Sequence, residues 1–282
     1  MMISSPLKWV GGKYSILDKI LPQLKTHNRF VEPFMGSCVV SLNVEAKEYI
    51  LNDYNPDLVN FFTYVMSRPN DIILYVKPYF EDMNSEKYYD VREKFNTLSK
   101  TSFERASLFL VLNKFAFNGV CRYNRYGMFN VPYSKKTSIS IPNLSDVSHR
   151  FRNKIVKFHN LDFSNDILYN NLEENDVVYF DPPYLPSDDF DTTFSDYTGD
   201  DFTYEQHVKI VEISEKLRDK GVKCIISNHD TKQIRDLYKN SNSIITFPIR
   251  RNVASKKEKR KVINELLAIY GNIEKSNVLF ED

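Results

Sequence analysis

Glycine is scarce in this chain. Only 8 of the 282 residues are glycine, whereas an ordinary soluble protein has about 7%. Because glycine tolerates left-handed backbone and the close approach of a ligand, we expect these few glycines to mark positions where the backbone requires them. Five of the eight are Gly11, Gly12, Gly36, Gly119 and Gly127. The only tryptophan, Trp9, lies beside the first pair.

Cysteines and long apolar segments are also few. The three cysteines, Cys38, Cys121 and Cys224, are far apart and form no C-x-x-C pair, which argues against a disulfide framework or a zinc site. No segment has the roughly 18 apolar residues of a membrane span, and the N-terminus has no apolar signal segment. We therefore expect a cytoplasmic protein with no metal and no membrane partner.

The chain has almost no net charge, since 38 lysines and arginines balance 37 aspartates and glutamates. A nucleic-acid partner would therefore require basic residues gathered on one face. One basic group lies near the C-terminus, in a pattern that is also typical of a solvated loop. It consists of Arg250, Arg251, Lys256, Lys257, Lys259, Arg260 and Lys261.

Alternating strand and helix patterns predict an α/β fold. The predicted strands are 29–32, 48–52, 154–159, 176–180, 223–227, 243–249 and 262–269. The predicted helices are 13–24, 38–46, one opened by Asn55 as N-cap and Pro56, and one from a Thr203–Gln206 capping box to Gly221. We assign residues 1–60 and 145–282 to one α/β domain.

Residues 61–144 interrupt this pattern and are predicted to form an inserted domain. As far as Phe117 the segment is helix-like and lacks a clear strand. A hairpin is predicted next, over residues 120–131, with its turn at 124–127.

The motif Asp181-Pro182-Pro183-Tyr184 directly follows a strongly apolar strand. Ligands bind at the carboxyl ends of strands in open α/β sheets, and the two prolines make this loop rigid. Its carboxylate and free carbonyls can accept both N–H bonds of a planar amine, and its ring can stack on a heterocycle. A strand-ending turn with a capping aspartate and a tyrosine in the core is the alternative.

The segment Glu32-Pro33-Phe34-Met35-Gly36-Ser37-Cys38 follows the first predicted strand. A turn of small residues allows a cofactor to approach the backbone, and Asp53 ends the second strand, where an acid commonly binds ribose hydroxyls. An ordinary turn with a helix-capping aspartate is the alternative. The sequence lacks G-x-G-x-x-G and G-x-x-x-x-G-K-[ST], which argues against a nicotinamide dinucleotide and a phosphate-loop nucleotidase.

A third motif, Lys8-Trp9-Val10-Gly11-Gly12-Lys13, opens the first predicted helix. Its glycine pair can fold around a ligand with Trp9 as an aromatic wall. A flexible entry loop with Trp9 in the core is the other interpretation.

Together and in this order, the three motifs resemble those of the Dam family of DNA adenine methyltransferases, the D12-type group. The resemblance spans nearly the whole chain, and the joint order is more specific than any single motif. It is also carried by Asn52-Asp53, Asn118-Gly119 with Arg122, Phe129-Asn130-Val131-Pro132-Tyr133 and Ser227-Asn228-His229-Asp230.

The resemblance implies a Rossmann-like methyltransferase sheet with helices on both faces, plus an inserted, mainly helical recognition lobe that carries a β-hairpin. It implies methyl transfer from S-adenosylmethionine to an adenine flipped out of double-stranded DNA, most often in GATC; we expect a monomer on DNA. Within the catalytic loop Asp181, Pro182, Pro183 and Tyr184, the acid and a carbonyl would bind the amine and the ring would stack on the base. The implied cofactor residues are Trp9, Gly11, Gly12, Lys13, Glu32, Pro33, Phe34, Gly36, Ser37, Cys38, Asp53 and Asp181.

The resemblance also implies that the predicted hairpin enters the major groove. There an arginine can read a guanine edge and an apolar residue can touch a thymine methyl group. Phe117 and Tyr123 are candidates to fill the gap left by the flipped base; the alternative is that they pack in the core of the lobe. Lysines, together with the basic group at 250–261, would bind the DNA phosphates. The implied DNA-binding residues are Lys8, Phe117, Asn118, Val120, Arg122, Tyr123, Asn124, Pro132, Lys135 and Lys136.

One residue departs from the family pattern. The cofactor loop of the family usually reads G-x-G, and here Cys38 replaces the second glycine, where a side chain would crowd the methionine part of the cofactor. A DNA-binding protein on an inactive methyltransferase scaffold is therefore one alternative function.

Since the D-P-P-Y chemistry suits any planar exocyclic amine, an amino methyltransferase acting on cytosine or RNA is a second alternative. Methylation of cytosine C5 needs a nucleophilic thiolate, and no cysteine lies in the catalytic loop. Residues 227–230 are predicted to shape a loop near the DNA.

Overall fold

The computed structural model describes residues 2–26, 28–185, 202–250 and 262–272. Their centre is a seven-stranded sheet with the order β3-β2-β1-β4-β5-β7-β6. Its strands are β1 Arg29–Glu32, β2 Glu48–Asn52, β3 Ile155–His159, β4 Val177–Phe180, β5 Lys223–His229, β6 Ser243–Arg250 and β7 Val262–Tyr270. Strands β1 to β5 are parallel, and β7 lies antiparallel between β5 and β6.

Helices cover the sheet and fill the segment between β2 and β3. The α-helices are α1 Leu17–Ile20, α2 Pro56–Ser67, α3 Pro69–Glu81, α4 Ser85–Thr97, α5 Phe103–Phe115, α6 Ser145–Arg150, α7 Tyr204–Arg218 and α8 Lys232–Leu237. Short 3₁₀-helices span Lys13–Ile16, Leu21–Gln23, Phe117–Gly119 and Asp166–Leu168.

The central strands are apolar because both faces of the sheet are covered. β4 is buried along its whole length, as expected of a parallel strand between two layers of helices. Successive side chains alternate between the faces, so that Val177 and Tyr179 join one hydrophobic cluster while Val178 and Phe180 join the other. The first of these clusters continues into the helices inserted between β2 and β3.

The inserted segment is built around α5. This helix is buried on nearly all sides and packs against α2, α3 and α4, which is typical of a helix at the centre of a lobe. The Rossmann-like α/β fold with a mainly helical insertion is therefore confirmed. The predicted domain boundary at residue 61 falls inside α2, and the division into 1–60 with 145–282 and 61–144 stays a prediction.

Several predicted helix caps are confirmed by the structure. The Asn55 side chain accepts a hydrogen bond from the second residue of α2, and Thr203 and Gln206 form the capping box of α7. Gly221 has φ +83°, and its amide donates to the Arg218 carbonyl at 2.8 Å, as a C′ glycine should.

The two helices predicted near the N-terminus are wrong in detail. The predicted helix 13–24 is broken into two 3₁₀ segments around the short α1. The predicted helix 38–46 is a series of turns. Ser41 donates to Glu32, and Asn43 donates both to the nearby Val39 carbonyl at 2.7 Å and to the distant Ile3 carbonyl at 2.9 Å.

Candidate active site

The sheet order places the turn after β1 beside the D-P-P-Y loop. From β1 the chain moves outward through β2 and β3, and from β4 it moves the other way through β5. The neighbours β1 and β4 therefore form the topological switch point, where ligands bind in open α/β sheets. Because β1 ends at Glu32 and β4 ends at Phe180, the turn and the loop border the same crevice.

Asp181 is the centre of a small polar network in this crevice. Its Oδ1 atom accepts a hydrogen bond from Ser227 Oγ at 2.7 Å and pairs with Lys13 Nζ at 3.0 Å. Oδ2 accepts no hydrogen bond from the residues that the structure describes. Burial lowers the pKa of Lys13, but attraction to Asp181 and Glu265 raises it, and the net pKa lies above the usual value. The lysine therefore keeps its charge against the carboxylate.

The ring of Tyr184 is held beside this carboxylate. It meets the His229 ring in a T-shaped contact with the centroids 4.4 Å apart, and Lys13 Nζ lies 4.6 Å from its centroid. Burial raises the pKa of Tyr184 well above its usual value, so the phenol stays neutral. Of the two prolines before it, Pro182 is buried and Pro183 is exposed.

The turn after β1 depends on a glycine. Gly36 has φ +46°, and a Cβ atom there would meet Trp9 Nε1 at 3.0 Å, so the half-buried indole lies directly against the turn. In the same N-terminal motif, Lys13 Nζ donates to the Gly11 carbonyl at 3.2 Å; Gly11 and Gly12 are both exposed. The N-terminal motif and the turn therefore form adjoining walls of the crevice.

Asp53 closes the other side of the turn. Its oxygens accept hydrogen bonds from the amides of Gly36 and Asn55, each at 2.9 Å, and burial raises the pKa of Asp53 to about 6. The neighbouring Asn52 donates to the Pro33 carbonyl at 2.9 Å. These bonds fix an acid at the edge of the turn, at the carboxyl end of β2.

Behind the turn lie residues that support it from the core. Glu32 is buried, accepts hydrogen bonds from Ser41, and has a pKa raised well above the usual value by burial. Ser37 is buried, and its carbonyl accepts from Ser5 Oγ at 2.6 Å. Cys38 has φ +62°, and its side chain is fully buried in the hydrophobic core. The predicted crowding of the cofactor by Cys38 stays a prediction.

Phe34 contributes an aromatic wall. Its ring packs against Phe163 and Phe202, with centroids 5.2 Å and 5.6 Å away. Phe34 is half-buried, and such a cluster offers an apolar surface to a planar heterocycle.

The end of α5 and the 3₁₀ turn that follows it pack closely on the N-terminal motif. Gly119 has φ +67°, and a Cβ atom there would lie 2.6 Å from Lys8 Cδ. Asn113, on α5, accepts from the Lys8 amide at 2.9 Å and donates to its carbonyl at 2.8 Å. Lys8 is thereby presented on the surface together with the exposed residues Phe117 and Asn118.

Three lysines, Lys8, Lys114 and Lys136, meet at this surface. Burial, together with repulsion from Lys8 and Lys136, lowers the pKa of Lys114 to about 8. Contact with Lys136 and burial also lower the pKa of Lys8. A bound anion would relieve this repulsion. The neighbouring Lys135 is exposed and has φ +65°.

The predicted hairpin is held by two isolated antiparallel bridges, Ala116–Tyr133 and Tyr123–Phe129. Arg122 Nε donates to Asn130 Oδ1 at 2.8 Å. At the turn, Asn124 Oδ1 accepts from the amide of Met128 at 3.1 Å. Val120 is half-buried and Pro132 is exposed.

Phe117 and Tyr123 differ in their surroundings. Phe117 is 55% exposed. The Tyr123 hydroxyl instead donates to the buried Asp57 at 2.6 Å, and its ring packs on Phe129. The geometry favours a packing role for Tyr123 and leaves Phe117 free to contact a ligand.

The strand predicted to end at Ser227 extends to His229, so the predicted loop at 227–230 is wrong at Asn228 and His229. β5 continues through Ser227, Asn228 and His229 because they pair with Leu267, Leu266 and Glu265 of β7. The contacts of Ser227 with Asp181 and of His229 with Tyr184 were therefore missed. The signal available in the sequence was a run of polar residues directly after an apolar strand.

Other predicted features are only partly described. The basic group from Arg250 to Lys261 lies outside the residues whose side chains the structure describes. Within the described ranges, no cluster of three or more histidine, cysteine, aspartate or glutamate residues is arranged to hold a metal ion. No described helix combines the length and the apolar character needed to cross a membrane.

A family model and three bacterial relatives of this chain name the same activity. Residues 9–261 match the family model of the D12 class N6 adenine-specific DNA methyltransferases. A DNA adenine methylase of Haemophilus influenzae is 35% identical over 273 residues, which cover 94% of this chain and 93% of the relative. One from Escherichia coli K12 is 36% identical over 266 residues, covering 94% of each. One from Vibrio cholerae is 35% identical over 269 residues, covering 94% of this chain and 95% of the relative.

Proposed function

Because this chain belongs to the D12 class of N6 adenine-specific DNA methyltransferases, we propose that it methylates the N6 amine of adenine in double-stranded DNA with S-adenosylmethionine as donor. The observation that carries the proposal is the Asp181 carboxylate at the switch point. Two donors hold its Oδ1 atom, which leaves Oδ2 for a ligand with an N–H group. The adjacent Tyr184 ring supplies a stacking surface.

The residues around the turn after β1 fit the proposed donor. Asp53, at the end of β2, would accept the ribose hydroxyls. A side chain at Gly36 would crowd the indole of Trp9. The rings of Trp9 and Phe34 would flank the adenosyl group. When bound, S-adenosylmethionine supplies an electrophilic methyl group on sulfur.

The catalytic loop would bind the target base. Oδ2 of Asp181 and the Pro182 carbonyl would accept the two N–H bonds of the amine, which directs the nitrogen lone pair out of the base plane. Tyr184 would stack on a base that has left the duplex. Such catalysis rests on positioning and electrostatics, without a covalent enzyme intermediate.

The predicted hairpin and Lys8 would recognise the DNA sequence around the adenine. Arg122 would bind a guanine edge, Val120 or Pro132 a thymine methyl group, and Lys8 a second guanine. The exposed Phe117 would fill the gap left by the base. The site GATC, action as a monomer on DNA and a cytoplasmic location are parts of the same proposal.

A methyl-transfer assay tests the proposal. Tritiated S-adenosylmethionine is incubated with the protein and with duplexes that contain GATC or a site with one altered base pair. We expect label at N6 of adenine in the GATC duplex only. Label on cytosine or RNA, or DNA binding without transfer, would support the alternatives and contradict the proposal.

Asp181→Asn keeps the shape of the side chain but turns one acceptor oxygen into a donor. We expect it to lower the transfer rate at least a hundredfold, since a carboxylate acceptor is lost where the amine binds, while DNA binding changes little. Asp219→Asn, at an exposed aspartate after α7, is the matched control and should retain full activity.

A further inference from the structure

A chain of buried hydroxyl groups ends at the catalytic carboxylate. β5 pairs in parallel with β4, with Ile226 opposite Phe180, so the residues that follow them, Ser227 and Asp181, are neighbours. The Tyr179 hydroxyl donates to Ser227 Oγ at 3.2 Å, and Ser227 Oγ donates to Asp181 Oδ1 at 2.7 Å. Tyr179 and Ser227 are both fully buried.

The Ser227 hydroxyl lies within hydrogen-bond reach of the Phe180 carbonyl and of the Asp181 carboxylate. The Phe180 carbonyl lies 3.4 Å from Oγ and Asp181 Oδ1 lies 2.7 Å away. Hydrogen bonds to a charged oxygen are shorter and about twice as strong as neutral ones, so the Ser227 hydroxyl donates its hydrogen bond to the carboxylate. Tyr179 donates to the same Oγ atom. The Ser227 hydroxyl is therefore held so that its own hydrogen bond goes to Asp181.

The carboxylate of an unrestrained aspartate can rotate about its Cβ–Cγ bond. Here Ser227 and Lys13 both hold Oδ1, and rotation would break both contacts. Lys13 lies on the N-terminal motif that borders the proposed cofactor site, whereas Ser227 is fixed within the sheet by its pairing with Leu267. Ser227 therefore supplies the restraint that is independent of the cofactor motif.

We propose that Ser227 is a positioning residue, which orients Asp181 so that Oδ2 remains available to the amine of the target base. This inference rests on the proposed function. β5 then takes part in catalysis through Asp181, without any contact between Ser227 and the substrate.

Four variants test the inference. Ser227→Ala removes the donor, and Ser227→Thr keeps a hydroxyl. Tyr179→Phe removes the group that orients it. Ser214→Ala is the matched control, because Ser214 is also fully buried and its hydroxyl donates to the Ile210 carbonyl at 2.8 Å within α7.

The measurements are the single-turnover rate of methylation at saturating DNA and donor, the dissociation constant of S-adenosylhomocysteine, and the melting temperature. For Ser227→Ala we expect the rate to fall about ten- to hundredfold, the range for loss of a hydrogen bond to a charged group. Binding of S-adenosylhomocysteine should change less than about threefold, because Lys13 of the N-terminal motif still pairs with Asp181 when Ser227 is replaced. Ser227→Thr should recover most of the rate, Tyr179→Phe should lose a smaller factor, and Ser214→Ala should match the wild type.

Two results overturn the inference alone: an active wild type with an equally fast Ser227→Ala variant, or a loss of rate that Ser214→Ala shares. A wild-type protein that binds S-adenosylhomocysteine but methylates no DNA would overturn the proposed function as well. The activity of the wild-type protein therefore distinguishes failure of this inference from failure of the proposed function.

Discussion

Cys38 combines a left-handed backbone with a buried side chain. Its φ of +62° lies in the left-handed region, which costs a residue with a Cβ atom roughly 1–2 kcal/mol relative to glycine. The buried sulfur offsets part of this cost by packing in the core. Cys38→Ala would remove the sulfur and keep the strain, whereas Cys38→Gly would remove both.

We therefore expect Cys38→Gly to be more stable than Cys38→Ala by about 1 kcal/mol, although glycine is normally the less stabilising residue. Urea unfolding of the two variants measures the difference. An alanine variant equal to or more stable than the glycine variant would show that the left-handed angle carries no strain at this position.

At the scale of elements, apolar strands and helix caps could be predicted from the sequence because their signals are local. The end of β5 could not, since Asn228 and His229 are polar and become strand only by pairing with Leu266 and Glu265, which are distant in the sequence. The turns at 38–46 were also missed, because Ser41 bonds to Glu32 at the end of β1, a contact that no local helix pattern indicates. The contact of Ser227 with Asp181 could not be predicted either, because it also depends on how the strands pair. The D-P-P-Y loop itself could be predicted from the sequence.

The helices α2 and α5 are joined by a buried ion pair. Arg105 Nε and Nη2 donate to the two oxygens of Asp57 at 2.5 Å and 3.0 Å, and both side chains are almost fully buried. Arg105→Met would leave Asp57 as a buried charge without its main partner. We expect a loss of about 3–5 kcal/mol in the free energy of unfolding, measured by urea denaturation.

The double variant Arg105→Met with Asp57→Asn separates charge from packing. Removing the second charge should recover part of the loss, because the cost of an unpaired buried carboxylate disappears. Lys100 Nζ, a half-exposed cation 3.8 Å from Asp57 Oδ2, is unchanged in all of these variants. A double variant at least as unstable as the sum of the two single variants would contradict this account.

At the scale of the whole molecule, a net charge of +1 gives no general attraction to DNA, so affinity must come from local clusters. Within the described residues, Lys8, Lys114 and Lys136 form such a cluster. Lys114 has a pKa lowered to about 8 by burial and by the other two lysines. A DNA phosphate would favour its charged form, so binding should weaken as the pH rises through about 8 and Lys114 loses its proton in the free protein.

Lys114→Met should therefore reduce both the pH dependence and the salt dependence of DNA binding. We expect its affinity to fall less steeply than that of the wild type between about pH 7 and 9. The slope of log K against log salt should become shallower by about 1, the contribution of one phosphate contact. Lys209→Met, at an exposed lysine of α7 paired with Glu212, is the control and should leave both slopes unchanged. Fluorescence anisotropy of a labelled duplex across pH and salt measures them, and identical slopes for Lys114→Met and the wild type would place the cluster outside the DNA interface.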